Sequence, residues 1–480
     1  MNKALRILTA CAAGALLIGA APAPAPTPEI TFEAAQQRLQ ALRARAERLE
    51  DERAIENLMR SYGFYFDRKM WDDVADLFAD DGTFEVSQRG VYQGKDSIRR
   101  ALEIWGPQGL QDGQMNDYLV LQPVIHVSPD GGMAQGRFRH IGMLGEYQQW
   151  GRWEDGVYEN AFVKQDGVWK ISALHLHTIL STDIEQGWGE QAFPADGPSA
   201  EIPADAPPTV VYENYPAYYT PPFHYPNPIS GQPVQYREGD PAAAVAQATL
   251  PTGEPVTSAP APQNLDELEA AIAEAELAVE RAHAANEIQN LINAYGYYLD
   301  KGLYNELADL FAEDGSMELA QRGVYQGRER VREFLTKGLN RGQPDGPRLG
   351  FLQDHVQLQP VIHVAEDAQT ATARMRMIQM MGFAGQSASW GAGVYVDEFV
   401  KEDGRWKFKT AHAYNTFNAA YDGAWVRNGG GALPGQNPDL PPDSPPTLEF
   451  EYWPVVYDIP FNYDNPVSGR APYSYREAAE

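Results

Sequence analysis

Cysteine is almost absent. The 480 residues hold one, Cys11, inside an amino-terminal apolar run, so neither a disulfide framework nor a cysteine metal site can organise the chain. Positive charge is scarce as well: 38 Lys and Arg stand against 66 Asp and Glu, a formal charge of −28. That balance repels phosphate backbones and anionic surfaces, and nucleic acid is not an expected partner. No nucleophile elbow, phosphate loop, dinucleotide fingerprint or kinase signature occurs in the sequence, so serine-hydrolase, phosphotransferase and redox readings lose support. No cofactor and no metal are expected, and no integral membrane span.

The apolar run that is present lies at the start. Lys3 and Arg6 precede ILTACAAGALLIGA and a stretch of alternating Ala and Pro, the pattern of a secretory signal over residues 1–25. The expectation is an exported protein, periplasmic or secreted. Cys11 stands in LTAC, which resembles a lipoprotein cleavage box, but the apolar run continues past it, so lipidation is the lesser reading.

What the chain has in abundance is itself. The stretch from Ala54 to Gly94, AIENLMRSYGFYFDRKMWDDVADLFADDGTFEVSQRGVYQG, returns from Glu287 to Gly327 as EIQNLINAYGYYLDKGLYNELADLFAEDGSMELAQRGVYQG, at an offset of 233. LQPVIHV, FVKQDGVWK and PFHYPNPISG return as LQPVIHV, FVKEDGRWK and PFNYDNPVSG, at offsets of 237 or 238. A repeat this long is a domain with its own core. The expected layout is one domain over 32–238, a Pro-, Ala- and Thr-rich linker over 239–263 and a second domain over 264–476. Asn264 with Glu267 three residues on is a capping-box start for the second.

Within each copy helices precede strands. Ile55, Leu58, Met59, Tyr62 and Phe66 form one helical stripe, Val74, Leu77 and Phe78 predict a short helix ended by Asp80 to Gly82, and Ser97 to Leu102 predicts a third. From Leu119 the apolar period becomes two, through LVLQPVIHV, MAQGRFRHIGML, VYENAFVK and VWKISALHLHTI. The fold class is α+β, with a curved antiparallel sheet over the helices. A Pro- and Tyr-rich tail, such as Tyr212 to Gly231, can be neither central strand nor helix and is expected to lie across the domain as an arm.

This order of elements, with YGFYFDRKMWDDVADLFADDGTFE, VIHVSPDGGMAQGRF and DGVWKI, resembles the SnoaL-like branch of the nuclear transport factor two superfamily. The resemblance covers both copies and implies two tandem cone-shaped α+β barrels. The superfamily contains dehydratases, isomerases, cyclases, lyases and non-catalytic binding modules, so the fold does not select an activity.

Asp67 and Asp300 are the leading candidates for chemistry. Each ends the core helix, with Gly63 or Gly296 one turn below on the same face, where a missing side chain would leave room for a ligand. The plainer alternative is a carboxylate capping the next helix or fixing a turn. Strand alternation points His140 into the first cone, where the second copy has Met377; the position of Tyr118 is taken by His355 in the second copy. The catalytic set is therefore Asp67, His140 and Tyr118 in one unit and Asp300 with His355 in the other. Substrate contacts are expected from Tyr65, Tyr158, His175 and His177, and from Tyr298, Tyr395, His412 and Tyr414. The twin His126 and His363 are expected on the outside.

A carboxylate, an imidazole and a phenol in an apolar hollow can move a proton off carbon and polarise an oxygen. The expected function is that of a cofactor-independent lyase, dehydratase or isomerase acting on an apolar, aromatic or polycyclic small molecule. The alternative is a non-catalytic protein that binds hydrophobic ligands or serves assembly, its two units fused as a pseudo-dimer. Intramolecular pairing of the units or a homo-oligomer are both open.

Overall fold

The computed structural model describes residues 31–244, 250–429, 434–451 and 453–472; the signal segment and Cys11 lie outside the described residues. Each unit opens with a helix of 36 residues, α1 (Phe32–Asp67) and α4 (Leu265–Asp300). Thr31 Oγ1 accepts from the amide of Ala34, and Asn264 Oδ1 from that of Glu267, so both starts have side-chain caps. The first halves run side by side in parallel: Ala35 and Leu39 meet Leu268, Ala271 and Ala275, and Arg43 pairs with Glu274 at 2.6 Å. From Asn57 to Asp67 every residue of α1 is buried. That stretch has its own sheet on one side and the second unit on the other.

The first unit continues with α2 (Trp71–Asp76), β1 (Phe78–Val86), β2 (Val91–Gln93) and α3 (Lys95–Leu102), then β3 (Gln114–Val127), β4 (Met133–Glu146), β5 (Trp150–Gln165) and β6 (Val168–Asp183). The second repeats it with α5 (Tyr304–Ala308), β7 (Phe311–Leu319), β8 (Val324–Gln326), α6 (Arg328–Glu333), β9 (Phe351–Val364), β10 (Thr370–Phe383), β11 (Ser387–Glu402), β12 (Arg405–Ala420) and a short α7 (Ala424–Arg427). Each unit has one six-stranded sheet, in the order β2-β1-β6-β5-β4-β3 and β8-β7-β12-β11-β10-β9. The α+β class is as expected, but the cone is an open curved sheet rather than a closed barrel, with β3 and β9 as edges.

The helix expected through Phe78 ends at Asp76, and the Asp80 to Gly82 segment lies inside strand β1. Parallel pairing with β6 overrides the turn signal. Phe78 pairs with Ile171 and Thr83 with Ala173, so the acidic pair bulges out between them. Gly82 is required there, since a Cβ would stand 3.1 Å from the carbonyl oxygen of Ile171.

The first core joins Ile55, Tyr62 and Phe66 of α1 to Phe138, Tyr158, Phe162, Leu174 and Leu176 of the sheet; the second joins Ile288, Ile292 and Tyr295 to Met375, Met377, Tyr395 and Phe399. A third cluster lies between units, with Met115, Leu119 and Met143 against Ala392, Phe417 and Trp425. The tails cross the outer faces of the sheets as arms: Arg137 donates to the carbonyl of Pro222, and its counterpart Arg374 to that of Pro460, each at 2.7 Å. The segment after residue 250 follows α1, with Gln36 Nε2 donating to the carbonyl of Pro262 at 2.7 Å. Among the described residues no helix is long and apolar enough to cross a membrane.

Candidate functional site

The first cone holds a hollow of about 270 Å³, lined in similar measure by apolar side chains such as Ile104, Trp105, Leu144 and Trp150 and by polar ones, among them Tyr118, Glu154, Lys69, Arg89, Arg152, Glu146 and Asp196. Regular alternation along β4 and β5 turns Phe138 and His140, and Glu154, Tyr158 and Phe162, to the inside. His140 is fully buried, stacks on Tyr118 with ring centroids 4.7 Å apart, and has Nε2 3.9 Å from Glu154 Oε2. Tyr158 stands edge-on to it at 5.8 Å. Trp105 Nε1 donates to the Tyr118 hydroxyl at 2.9 Å, which leaves the phenol proton available elsewhere.

Electrostatics separate the roles of these groups. Burial raises the Tyr118 hydroxyl well above its ordinary value, with Glu154 and Tyr62 adding to the effect, so it is a neutral donor. Burial also pushes the Glu154 carboxyl up, but the His140, Arg152 and Arg89 charges outweigh it and hold Glu154 below the usual carboxylate range. Glu154 is thus a carboxylate facing the hollow, backed at 3.9 Å by an imidazole whose two ring nitrogens have no hydrogen-bond partner among the described residues.

Asp67 does not join this group. One carboxylate oxygen accepts the amide of Tyr118 at 2.6 Å, on the free edge of β3, and the other is held by Arg376 of the second unit. Arg376 also reaches Asp117 at 3.3 Å. Nor does Gly63 leave room for a ligand: a Cβ there would meet Gln359 Nε2 at 2.5 Å and the Tyr118 carbonyl oxygen at 2.8 Å. Gln359 bridges the units, donating to the Arg60 carbonyl and accepting from the amide of Val120. Gly296 likewise faces the His355 carbonyl oxygen at 3.0 Å. Both glycines serve close backbone approach.

In the second unit Asp300 accepts the amide of His355 at 2.6 Å, and His355 Nδ1 stands 3.7 Å from the same oxygen. Tyr395 faces the interior, its hydroxyl 3.4 Å from that of Tyr295. Asp397, beside them on β11, is buried and accepts the amide of His412; burial raises its carboxyl well above the ordinary range. The first unit has Asn160 there, accepting the amide of His175 in the same way.

His175, His177, His412 and Tyr414 lie on the opposite face from the one expected. Ser172 and Lys409 are extra residues in β6 and β12, since Phe162 pairs with Ile171 but Ala161 with Ala173, and Phe399 with Phe408 but Glu398 with Thr410. Each bulge reverses the alternation, so Leu174 and Leu176 enter the core and the histidines turn outward. His177 Nδ1 meets the Tyr219 hydroxyl of the arm at 2.9 Å, and His175 Nε2 lies 3.6 Å from Glu85. In the second unit His412 Nε2 lies 3.5 Å from Glu318, and Thr447 clasps Glu318 as Thr209 clasps Glu85. Burial pushes His175 down to about 3 and His412 to about 4. Tyr65 also looks away from the hollow, toward Phe461 of the second arm at 5.3 Å, and Tyr298 sits at the margin of the second core. His126 is outside as expected, its Nδ1 2.9 Å from His224 Nε2.

Two larger openings lie between the units. One, of about 480 Å³, is where α1 and α4 diverge; the other, of about 740 Å³, is walled by Trp153, Trp188, Trp390 and Tyr421 and contains no histidine. Tyr118 and Glu154 line the smaller hollow inside the cone, with His140 packed behind them.

The model of the SnoaL-like domain matches residues 47–175 and again 280–412, more than half of the chain. The chain belongs to the SnoaL-like family. Both units are therefore SnoaL-like domains of the nuclear transport factor two-like superfamily. Among solved structures, a candidate scytalone dehydratase from Novosphingobium aromaticivorans is 24% identical over 33% of this chain and 95% of its own, with a TM-score of 0.26. The hexachlorocyclohexane dehydrochlorinase LinA-type3 from Novosphingobium barchaimii is 19% identical over 30% of this chain and 92% of its own, TM-score 0.26. ActVI-ORFA from Streptomyces coelicolor is 16% identical over 27% and 96%, TM-score 0.24. The comparison with curated proteins gave no match.

Proposed function

We propose that the first SnoaL-like unit is a cofactor-independent acid–base enzyme, a lyase, dehydratase or isomerase, and that the second supports it. The observation that carries this reading is the buried Glu154–His140–Tyr118 set, with Glu154 and Tyr118 in the wall of a hollow lined by both apolar and polar side chains. Glu154 accepts a proton from a carbon of the bound molecule, and His140 stands behind it at 3.9 Å. Tyr118, its oxygen already engaged by Trp105, donates to the carbonyl or leaving oxygen on which charge develops. The hollow suits a small aromatic molecule that carries polar substituents, since Trp105, Trp150, Ile104 and Leu144 stand in its wall beside Lys69, Arg89 and Arg152. An amino-terminal signal would deliver the enzyme outside the cytoplasm.

The test is turnover of aromatic carbonyl and hydroxy compounds by the full chain. Glu154→Gln and Tyr118→Phe are each expected to lower kcat by about 100-fold or more while the fold is retained. Unchanged turnover in both would reject the acid–base role. Saturable binding of such compounds without any turnover would favour the binding-protein alternative, to which the Asp67–Arg376 pair lends weight by giving that carboxylate an assembly role.

A further inference from the structure

The two units are joined by a one-sided contact. The back of α1 and the outer side of β3 in the first unit lie against the outer sheet face of the second: Phe64 packs under Arg374 and Arg376, and Met115 and Leu119 enter the cluster around Phe417 and Trp425. The second arm completes the contact. Its last turn is a hook in which Asn465 Oδ1 accepts the amides of Val467 and Ser468, while Asn465 Nδ2 donates to the carbonyl of Asp73 at 3.0 Å. Val467 rests on the first core, and Arg470 pairs with Asp73 and Asp76.

The same parts exist a second time, with no counterpart among the described residues. Tyr297, Leu352 and Val356 occupy the positions of Phe64, Met115 and Leu119; they are 72%, 49% and 40% exposed, where the first-unit residues are buried. The first arm ends in the same hook, with Asn227 Oδ1 accepting the amides of Ile229 and Ser230, each at 2.9 Å. Ile229, in the place of Val467, is 94% exposed. Gln122, in the place of the bridging Gln359, has the same left-handed backbone, φ 50° against 54°, and is exposed. A non-glycine residue held there in both copies carries a conformational cost that only the second copy uses at an interface.

We propose that the helix back of the second unit docks the outer sheet face and hook of the first unit of a second copy of this chain, repeating between chains the contact made within one. Such a contact is heterologous and propagates head to tail until it closes. The occupant is specified by the molecule itself, because the internal interface shows what covers this surface when it is covered. Tyr297 takes the place of Phe64 over Arg137 and Arg139, Ile229 enters beside Tyr298, and Leu352 and Val356 are buried.

Sedimentation equilibrium of the full chain over a range of concentrations tests this. The wild type is expected to self-associate, and Ile229→Asp and Tyr297→Asp, both exposed in the single chain, are each expected to weaken association on the order of tenfold or more without changing the circular dichroism. Mixing the two variants should restore one contact and yield a dimer, because each supplies the half that the other lacks. A wild type that stays monomeric, or an association indifferent to both substitutions, overturns the proposal.

Discussion

At the residue scale the repeat supplies its own controls. Asp397 and Asn160 occupy one niche, and only the acid must shed or bury a charge there. Its folded pKa is raised, so the stability linked to it is complete below about pH 4, where the unfolded carboxyl is protonated, and is lost as pH rises toward the folded value. Asp397→Asn should therefore stabilise the protein by about 1–3 kcal/mol at neutral pH and change little near pH 4; thermal melts across that range measure it. Asp67→Asn should act in the opposite direction. It leaves Arg376, which burial pushes down to about 9, with Asp117 alone, and should cost about 3 kcal/mol in denaturant unfolding.

Single residues were legible in the sequence where alternation was undisturbed. His140 and Tyr158 follow from the period along β4 and β5, and so would Glu154, two residues before Gly156 and four before Tyr158 on the inner face. The partner of Asp67 was not legible, because Arg376 comes from the other unit and no local pattern brings residues 309 positions apart together.

At the element scale the strands are less regular than their sequences. DDG reads as a turn and HLHTI as a simple alternation, yet pairing with β6 makes β1 bulge and pairing with β5 makes β6 bulge, and the β6 bulge transfers two histidines from hollow to arm. Edge strand β3 has its free amides covered by Asp67 and Gln359, which protects it from unplanned pairing. The arms are the elements with the sharpest contrast. Asn465→Ala removes a buried donor and the acceptor that shapes the hook, and should destabilise the chain by about 1–3 kcal/mol. Asn227→Ala, in the matching but undocked hook, should leave the unfolding midpoint of dilute protein close to wild type.

At the scale of the whole molecule, duplication was the most legible feature, and the divergence of the copies the least. Both units keep the helix, the open sheet and the clasp of a threonine on a buried glutamate under the arm. Among the described residues the first alone brings an imidazole, a carboxylate and a phenol together beside one hollow. The second presents Met377 in place of His140, and its Asp300 and His355 meet at the strand edge. Duplication thus gave one unit whose interior gathers these three groups and another whose outer sheet face packs against the back of the first.

The most direct measurement is kcat/KM of the full chain carrying Glu154→Gln compared with that carrying Asp300→Asn, on the same substrate under the same conditions. The account predicts a loss of about 100-fold or more for the first and a change within about threefold for the second. A loss confined to Asp300→Asn would contradict it.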